Sequence, residues 1–243
     1  MKTSINFATY RNENGFPRKQ QTLSMLESIK GKADTVRCYF NGVIVKPFWM
    51  PDWVDVTCGS GVDLTDLGKF YFLEPDMDEI YLTVDDDLFY PETYVDDMVN
   101  AVHEHECVVS HHGRKLVDTA TDYYRTNPAM RCLGGELFNR SLDVPGTGVM
   151  AFDTNTFNPY WMKTSMDRKM SDLTFALECA KHNVPIIGLR HEMEYITYLN
   201  PPVNETIHQQ MHGNQTRLIE VANQIKQIKK ENGTWKTDWS LNK

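Results

Sequence analysis

Three consecutive carboxylates, Asp85-Asp86-Asp87, close the apolar run Ile80-Tyr81-Leu82-Thr83-Val84 and open onto Leu88-Phe89-Tyr90-Pro91. A run of alternating β-branched and aromatic residues reads as a strand, and the proline beyond it starts a new element, so the acids are expected on a turn at one edge of a sheet. Open α/β sheets bind ligands at that edge. Carboxylates two apart in an extended chain face the same way. Asp85 and Asp87 can therefore share one Mg²⁺ or Mn²⁺ whose remaining positions go to phosphate oxygens and water. The chemistry so implied is metal-assisted handling of a diphosphate. The competing account is a solvated acidic turn with no ligand, and the surrounding elements must decide between them.

Those elements alternate in the first half of the chain. Residues 4–9 read as a strand, 18–29 as a helix with Leu23, Leu26 and Ile29 on one face, and 36–40 as a strand again, which is a βαβ opening. A polar, Gly-rich stretch over 52–69, including Cys58-Gly59-Ser60-Gly61, leads to an expected strand at 70–73. Beyond the acidic triplet, Val95, Met98, Val99 and Val102 sit at helical spacing, and 107–110 returns to strand. The alternation predicts a mostly parallel sheet with helices on its faces. The second half is less regular. Residues 119–139 read as a long loop; Gly146-Thr147-Gly148 precedes a strand at 149–152; Ser171-Asp172 opens a helix to about 182; and 184–189 is again strand-like. Over 214–231, Leu218, Val221, Ala222, Ile225 and Ile228 form one apolar face, predicting a C-terminal amphipathic helix.

With 243 residues and 41% hydrophobic content, the chain can bury one substantial α/β core, so a single domain over 1–243 is expected. Five cysteines, with no Cys-x-x-Cys pair, fit a reducing compartment without a zinc or disulfide framework. No signal-like h-region and no bilayer-length apolar segment are present, so a soluble, cytoplasmic protein with no integral membrane segment is expected. The formal charge of −8 argues against a broad basic nucleic-acid surface. It leaves room for a local one, since basic residues gather over 11–19, 226–236 and at Arg114-Lys115.

An ordered series of motifs then suggests a family. Ala8-Thr9-Tyr10-Arg11 with Phe16-Pro17-Arg18, Tyr39-Phe40-Asn41-Gly42, Asp66-Leu67-Gly68-Lys69-Phe70, the acidic triplet with Tyr90-Pro91 and Tyr94-Val95, Ser110-His111-His112-Gly113, Pro145-Gly146-Thr147-Gly148 and Met170-Ser171-Asp172 follow one another along residues 4–220. This series resembles the nucleotide-sugar-dependent glycosyltransferases of the GT-A fold, specifically their family 2-like bacterial and phage members. The resemblance implies a Rossmann-like α/β sheet flanked by helices, with a nucleotide-sugar half (1–110), a smaller acceptor-side half (111–213) and a C-terminal helix and tail (214–243). It implies that Thr9, Tyr10, Arg11, Arg18 and Asn41 hold the nucleoside, that Lys69 and Asp86 adjoin the diphosphate, and that Asp85 and Asp87 bind Mn²⁺ or Mg²⁺. Gly146, Thr147 and Gly148 are assigned to the sugar or acceptor pocket, with His112 in the cleft. A late histidine would complete the metal shell; His191, His208 and His212 are candidates, with His191 carried forward.

Breaking a sugar–phosphate bond requires the departing nucleoside diphosphate to be stabilised, which a cation on Asp87 with Asp85, and a second positive charge on Lys69, would supply. Inversion needs one base for the acceptor hydroxyl, and Asp172 is the candidate. Its rival role is a helix cap, which Ser171 or Asp172 could supply, and there the dipole would lower the Asp172 pKa and weaken it as a base. Tyr123, Tyr124 and Trp161 could stack on a sugar or base, or simply pack. The expected activity is transfer of one sugar from a nucleotide diphosphate sugar to an acceptor hydroxyl, either of a bacterial surface glycan or of a hydroxymethylated pyrimidine in phage DNA, in the cytoplasm of a bacterium or an infected host. Two alternatives stay open: a nucleotidyltransferase using the same acidic site, and a catalytically silent nucleotide-binding module.

Overall fold

The computed structural model of the chain describes residues 1–59, 61–200 and 215–241. The first strands are β1 (Lys2–Tyr10), β2 (Thr35–Asn41), β3 (Asp55–Gly59) and β4 (Glu79–Val84). With β6 (Val108–Ser110), β9 (Arg140–Leu142), β11 (Val149–Asp153) and β12 (Ile186–Gly188) they form one sheet of 8 strands in the order β3-β2-β1-β4-β11-β6-β12-β9. The sheet is more mixed than the alternation predicts. Strands β3, β2, β1 and β4 run parallel, and so do β6 and β12, but β11 lies antiparallel between β4 and β6, and β9 closes the edge antiparallel to β12. Because β11 reverses direction twice over, β6 and β12 still point the same way as β4. All the parallel strands therefore end at one edge.

Period-2 alternation divides β4 between two cores. Ile80, Leu82 and Val84 face helices α1 (Lys19–Ile29) and α2 (Tyr94–His105), while Tyr81 faces the other side, against Phe70, Phe152 and Phe175. Val95, Met98 and Val102 are buried against the sheet, as their spacing predicts, and Met98→Ala should cost about 2–5 kcal/mol. On the opposite face, α4 (Ser171–Lys181) packs through Leu173 and Ala176 against Leu218, Val221 and Ile225 of the C-terminal helix α5 (Thr216–Glu231). The expected amphipathic helix thus covers its own chain.

Two expectations change. The apolar residues 70–73 do not form a strand: Thr65–Phe70 is a 3-10 turn, which buries Phe70 and Leu73 without sheet pairing and aims Lys69 inward. Short apolar runs carry no periodicity that separates the two outcomes. The turn also packs too closely on Tyr39 for a side chain at Gly68, where a Cβ would stand 2.8 Å from the Tyr39 ring. Residues 119–139 are not one loop. They hold the short helix α3 (Tyr123–Thr126), whose first turn is capped by the Asp122 carboxylate, and β8 (Ala129–Met130). Strand β8 pairs with β7 (Gly113–Arg114), which also pairs with β10 (Val144–Pro145), making a small second sheet. Strand β5 (Leu88–Phe89), just past the acids, pairs with β13 (Thr197–Tyr198). No helix among the described residues is long and apolar enough to cross a membrane.

Candidate functional site

The acidic triplet sits on the turn after β4, at the edge where the parallel strands end. Its backbone is fixed before its side chains are considered. The Asp85 amide donates to the Tyr90 hydroxyl (2.8 Å) and the Gly148 carbonyl (3.2 Å), and Tyr90 itself donates to that carbonyl at 2.7 Å. A buried tyrosine therefore ties the acidic turn to the glycine loop. Asp85 lies flat over Gly148: a Cβ there would stand 1.9 Å from Asp85 Oδ2. Gly148 is required for close approach, not for an unusual φ.

The four elements around this turn deliver one connected set of charges. Lys69, 4% exposed, donates to Asp85 Oδ1 and to the Thr147 carbonyl at 3.3 Å. The Thr147 amide and hydroxyl both donate to Asp172 Oδ1, at 2.8 and 2.7 Å, and the hydroxyl also lies 2.8 Å from Ser171 Oγ. Asp172 is the second residue of α4, yet it caps nothing. The orphan amides there are met by Asp66, whose carboxylate accepts from the backbone of Lys169 and of Ser171, each at 2.8 Å. The cap role foreseen for Ser171 or Asp172 is thus overturned, and Asp172 is left to face the glycine loop.

On the other side, the buried Arg18 Nη1 donates to Asp87 Oδ2 at 2.6 Å and lies 3.5 Å from Asp86 Oδ1. Tyr10 shares a hydrogen bond with Arg18, and Thr9 one with Asp86, so the end of β1 braces the triplet. Asp86 Oδ2 is buried without a hydrogen-bond partner. Arg11 is exposed, with its guanidinium 5.8 Å from the Phe16 ring. Asn41 is buried and fully engaged, bonding the carbonyls of Thr9 and Thr65 and the amide of Leu64, so it shapes the loops rather than presenting a free amide.

Burial and like charge push three carboxyls upward. Burial raises Asp86 to about 7, with Arg18 opposing and Asp87 and Asp85 adding. Burial also raises Asp87, helped by Asp85 and opposed by Arg18 and Lys69. For Asp172 burial outweighs the bonds from Thr147 and the charge of Lys69, so its pKa rises; the dipole-driven fall expected from its place on α4 does not prevail. Burial opposes the Lys69 ammonium, but Asp85, Asp172 and Asp66 together hold its pKa above the ordinary value.

The paired histidines diverge, as alternation along an extended chain predicts. His111 turns into the core beside Tyr94, Tyr195 and His191, and burial lowers it to about 3. His112 lies within the field of Asp85 and packs on Gly146; burial, then Arg114, lowers it to about 4. His191 is buried with Nδ1 2.8 Å from the Leu189 carbonyl and Nε2 3.2 Å from that of Arg131, so its ring is engaged away from the triplet. Among the described residues no three His, Cys, Asp or Glu side chains are arranged to hold a metal by themselves. His208 and His212 lie outside the described residues. Tyr123 and Tyr124 stand in the field of Asp172 with Arg114 about 5.4 and 5.3 Å from their rings, whereas Trp161 donates to Glu178 and packs on His182, away from the site.

Sequence reasoning assigns no individual role to Asp66 or Tyr90, nor to the 197–199 segment. Leu199 donates to the Asp87 carbonyl at 2.8 Å and Tyr198 lies in the field of the triplet, but a two-residue strand leaves no periodicity to read. A concavity of about 890 Å³ lined by Met1, Asp34, Glu74 and Glu79 occupies the opposite edge of the sheet and shares no residue with this site.

No family model matches the chain, and no curated protein matches it. Among solved structures it is similar to one described as "Crystal Structure of A197 from STIV", at 12% identity and a TM-score of 0.40, over 85% of this chain and 98% of that one.

Proposed function

We propose that the chain is a metal-dependent glycosyltransferase of the GT-A fold, moving a sugar from a nucleotide diphosphate sugar to an acceptor hydroxyl with inversion. The observation that carries this reading is the hydrogen-bonded series Asp85, Lys69, Thr147 and Asp172, set beside the Arg18-held pair Asp86 and Asp87. The donor set fits a hard divalent cation of the Mg²⁺ or Mn²⁺ kind. Such ions are held by one or two carboxylates, with substrate phosphates and water completing the shell, so a three-residue protein cage is not needed. Asp85 and Asp87 would hold it, and Asp86 Oδ2, buried and unpartnered, adds unsatisfied negative potential behind them. When bound, the ion would neutralise charge on the departing diphosphate.

The chain's own residues supply the rest. Lys69 directs a buried ammonium at the same place and is positioned to turn from Asp85 toward a phosphate oxygen. Asp172 offers Oδ2, which makes no hydrogen bond among the described residues, while Thr147 fixes Oδ1. A carboxylate held above its ordinary pKa has the greater proton affinity a general base needs. Tyr90 and Gly148 keep the acidic turn and the glycine loop in register, and Tyr124 with Arg114 flanks the acceptor side.

The test is a panel of nucleotide sugars with Mn²⁺, Mg²⁺ or chelator, comparing wild type with Asp87→Ala and Asp172→Asn. Metal-dependent release of a nucleoside diphosphate from one donor, lost in Asp87→Ala, supports the reading. Pyrophosphate release would replace it with nucleotidyl transfer, and binding without turnover would leave a nucleotide-binding module. For the acceptor, a hydroxymethylated DNA substrate should give rates that fall steeply with salt, whereas a neutral glycan should not.

A further inference from the structure

Eight of the sixteen exposed large hydrophobic side chains among the described residues stand at the edge that carries the site. After β2, Ile44, Val45 and Phe48 are 80, 71 and 94% exposed. After β12 and before β9, Leu137, Phe138 and Met193 are 81, 66 and 74% exposed. Topology places both groups on the same edge. Strands β2 and β12 end there, and the register Gly188↔Arg140 brings the loop before β9 to the end of β12. The Glu136–His191 bridge and the 3.2 Å approach of a Gly135 Cβ to the Met193 amide join those two loops. Between the groups, directly after the acids, Phe89 and Tyr198 are half exposed on the β5–β13 pair.

This arrangement does not resemble a groove. The apolar side chains stand on separate loop tips along the edge that carries the acidic turn, in a chain that is 24% charged with a net charge of −8. Cations stand among them: Lys19 lies 5.8 Å from the Phe48 ring and 6.0 Å from that of Trp49, and Arg131 and Arg190 are exposed beside the second group. Long basic side chains beside aromatic and aliphatic tips suit the boundary between headgroups and acyl chains. On the glycosyltransferase reading, a protein seated on these loops would cover the acidic turn that the acceptor must reach. A planar apolar phase touches loops on both sides while presenting its own molecules to that turn.

We infer that this edge docks on a lipid surface, so that the acceptor hydroxyl is borne by a membrane-held glycan or lipid headgroup. The exposed loops are independent of any activity; the choice of a lipid surface over a protein, and the acceptor class, rest on the glycosyltransferase reading. Glu192 and Glu194 share the second loop, so apolar insertion supplies the binding and anionic lipid adds a smaller, salt-sensitive increment.

Flotation of the full chain with phosphatidylcholine vesicles, with and without phosphatidylglycerol, tests it. Wild type should float with both. Phe48→Ser and Phe138→Ser should each lower vesicle partition roughly tenfold, as loss of a buried aromatic contact implies, and the double variant further. A wild type that stays with the dense fraction overturns the proposal, as do variants that float like wild type. Variants that alter only the sedimentation of lipid-free protein also overturn it, showing that a second copy covers these loops. Donor hydrolysis in vesicle-free buffer should be unchanged in both variants. If wild type floats but hydrolyses no donor, the glycosyltransferase reading fails while the docking surface stands.

Discussion

Gly148→Ala isolates the geometry on which the site depends. The new methyl would lie 1.9 Å from Asp85 Oδ2 and 2.4 Å from its Cγ, well inside contact distance. Gly148 has no positive φ, so its backbone accepts alanine, and the conflict is with one side chain alone. From below, Tyr90 holds the Gly148 carbonyl and the Asp85 amide, so neither backbone can retreat. What can move is the Asp85 carboxylate, 43% exposed, which must swing off the 5% exposed Lys69. Overpacking of this kind costs about 1–3 kcal/mol. Stranding Lys69 adds to it, but less than for a fully buried pair, because Asp85 is partly solvated and Asp172 and Asp66 still face the ammonium. A total of about 2 kcal/mol corresponds to a fall in Tm of roughly 4–8 °C for a chain of this size. Turnover should fall on the order of a hundredfold, the loss expected when one preorganised charge is displaced. The deciding assay is a double-mutant cycle by thermal unfolding: in an Asp85→Ala background the clash disappears, so Gly148→Ala should then cost less than about 0.5 kcal/mol. An equal cost in both backgrounds, or full activity in Gly148→Ala, would refute the reasoning.

Thr147→Val removes the hydroxyl bond to Asp172 Oδ1, which favours the charged carboxylate; the acidic limb of the kcat/KM profile should move to higher pH, and an unshifted limb would exclude Asp172 as the titrating base. Asp86 has a folded-state pKa of about 7, above its ordinary 3.8, so the folded chain binds the extra proton and the contribution of this group to stability is lost as pH rises between the two values. Asp86→Asn should therefore raise Tm at pH 8 relative to wild type and lose that advantage near pH 4, measured by scanning fluorimetry. Lys69 and a divalent ion compete for Asp85 Oδ1, so Lys69→Met should bind Mn²⁺ more tightly than wild type in the absence of nucleotide, while binding the nucleoside diphosphate more weakly. Electron paramagnetic resonance of free Mn²⁺ reads the first effect and calorimetry the second; tighter nucleotide binding would remove Lys69 from the phosphate site.

The parts of the fold with a period were legible in the chain. Strand β4 and helix α2 follow from alternation and from helical spacing, and the C-terminal helix from its apolar face. What escaped has a local physical cause. Residues 70–73 are apolar because they are buried, and burial alone does not separate a 3-10 turn from a strand. The reversal at β11 depends on which strand inserts beside β4, a tertiary choice that its five residues do not encode. At the site, Asp85, Lys69 and Asp172 were named from the motif series and do share one hydrogen-bonded series. The division of labour between Asp66 and Asp172 was not legible, because either acid can cap α4, and only the closing of the Thr65–Phe70 turn onto the segment before the helix decides it.

Charge balance ties the raised carboxyls to the proposed metal. Asp85, Asp86, Asp87 and Asp172 act on one another across the site, and only Lys69 and Arg18 are buried among them as cations. With all four acids ionised, two negative charges remain uncompensated in a site where burial already disfavours charge. Protons are the compensation available to the chain alone, which is the direction in which Asp86, Asp87 and Asp172 are displaced. One divalent cation would supply the same two charges, so its binding should lower the pKa of all three carboxyls. Donor diphosphate would then draw Lys69 and the ion together, since each alone leaves the phosphates or the carboxylates underpaired. Metal and donor should accordingly bind with positive coupling, each strengthening the other by the same factor.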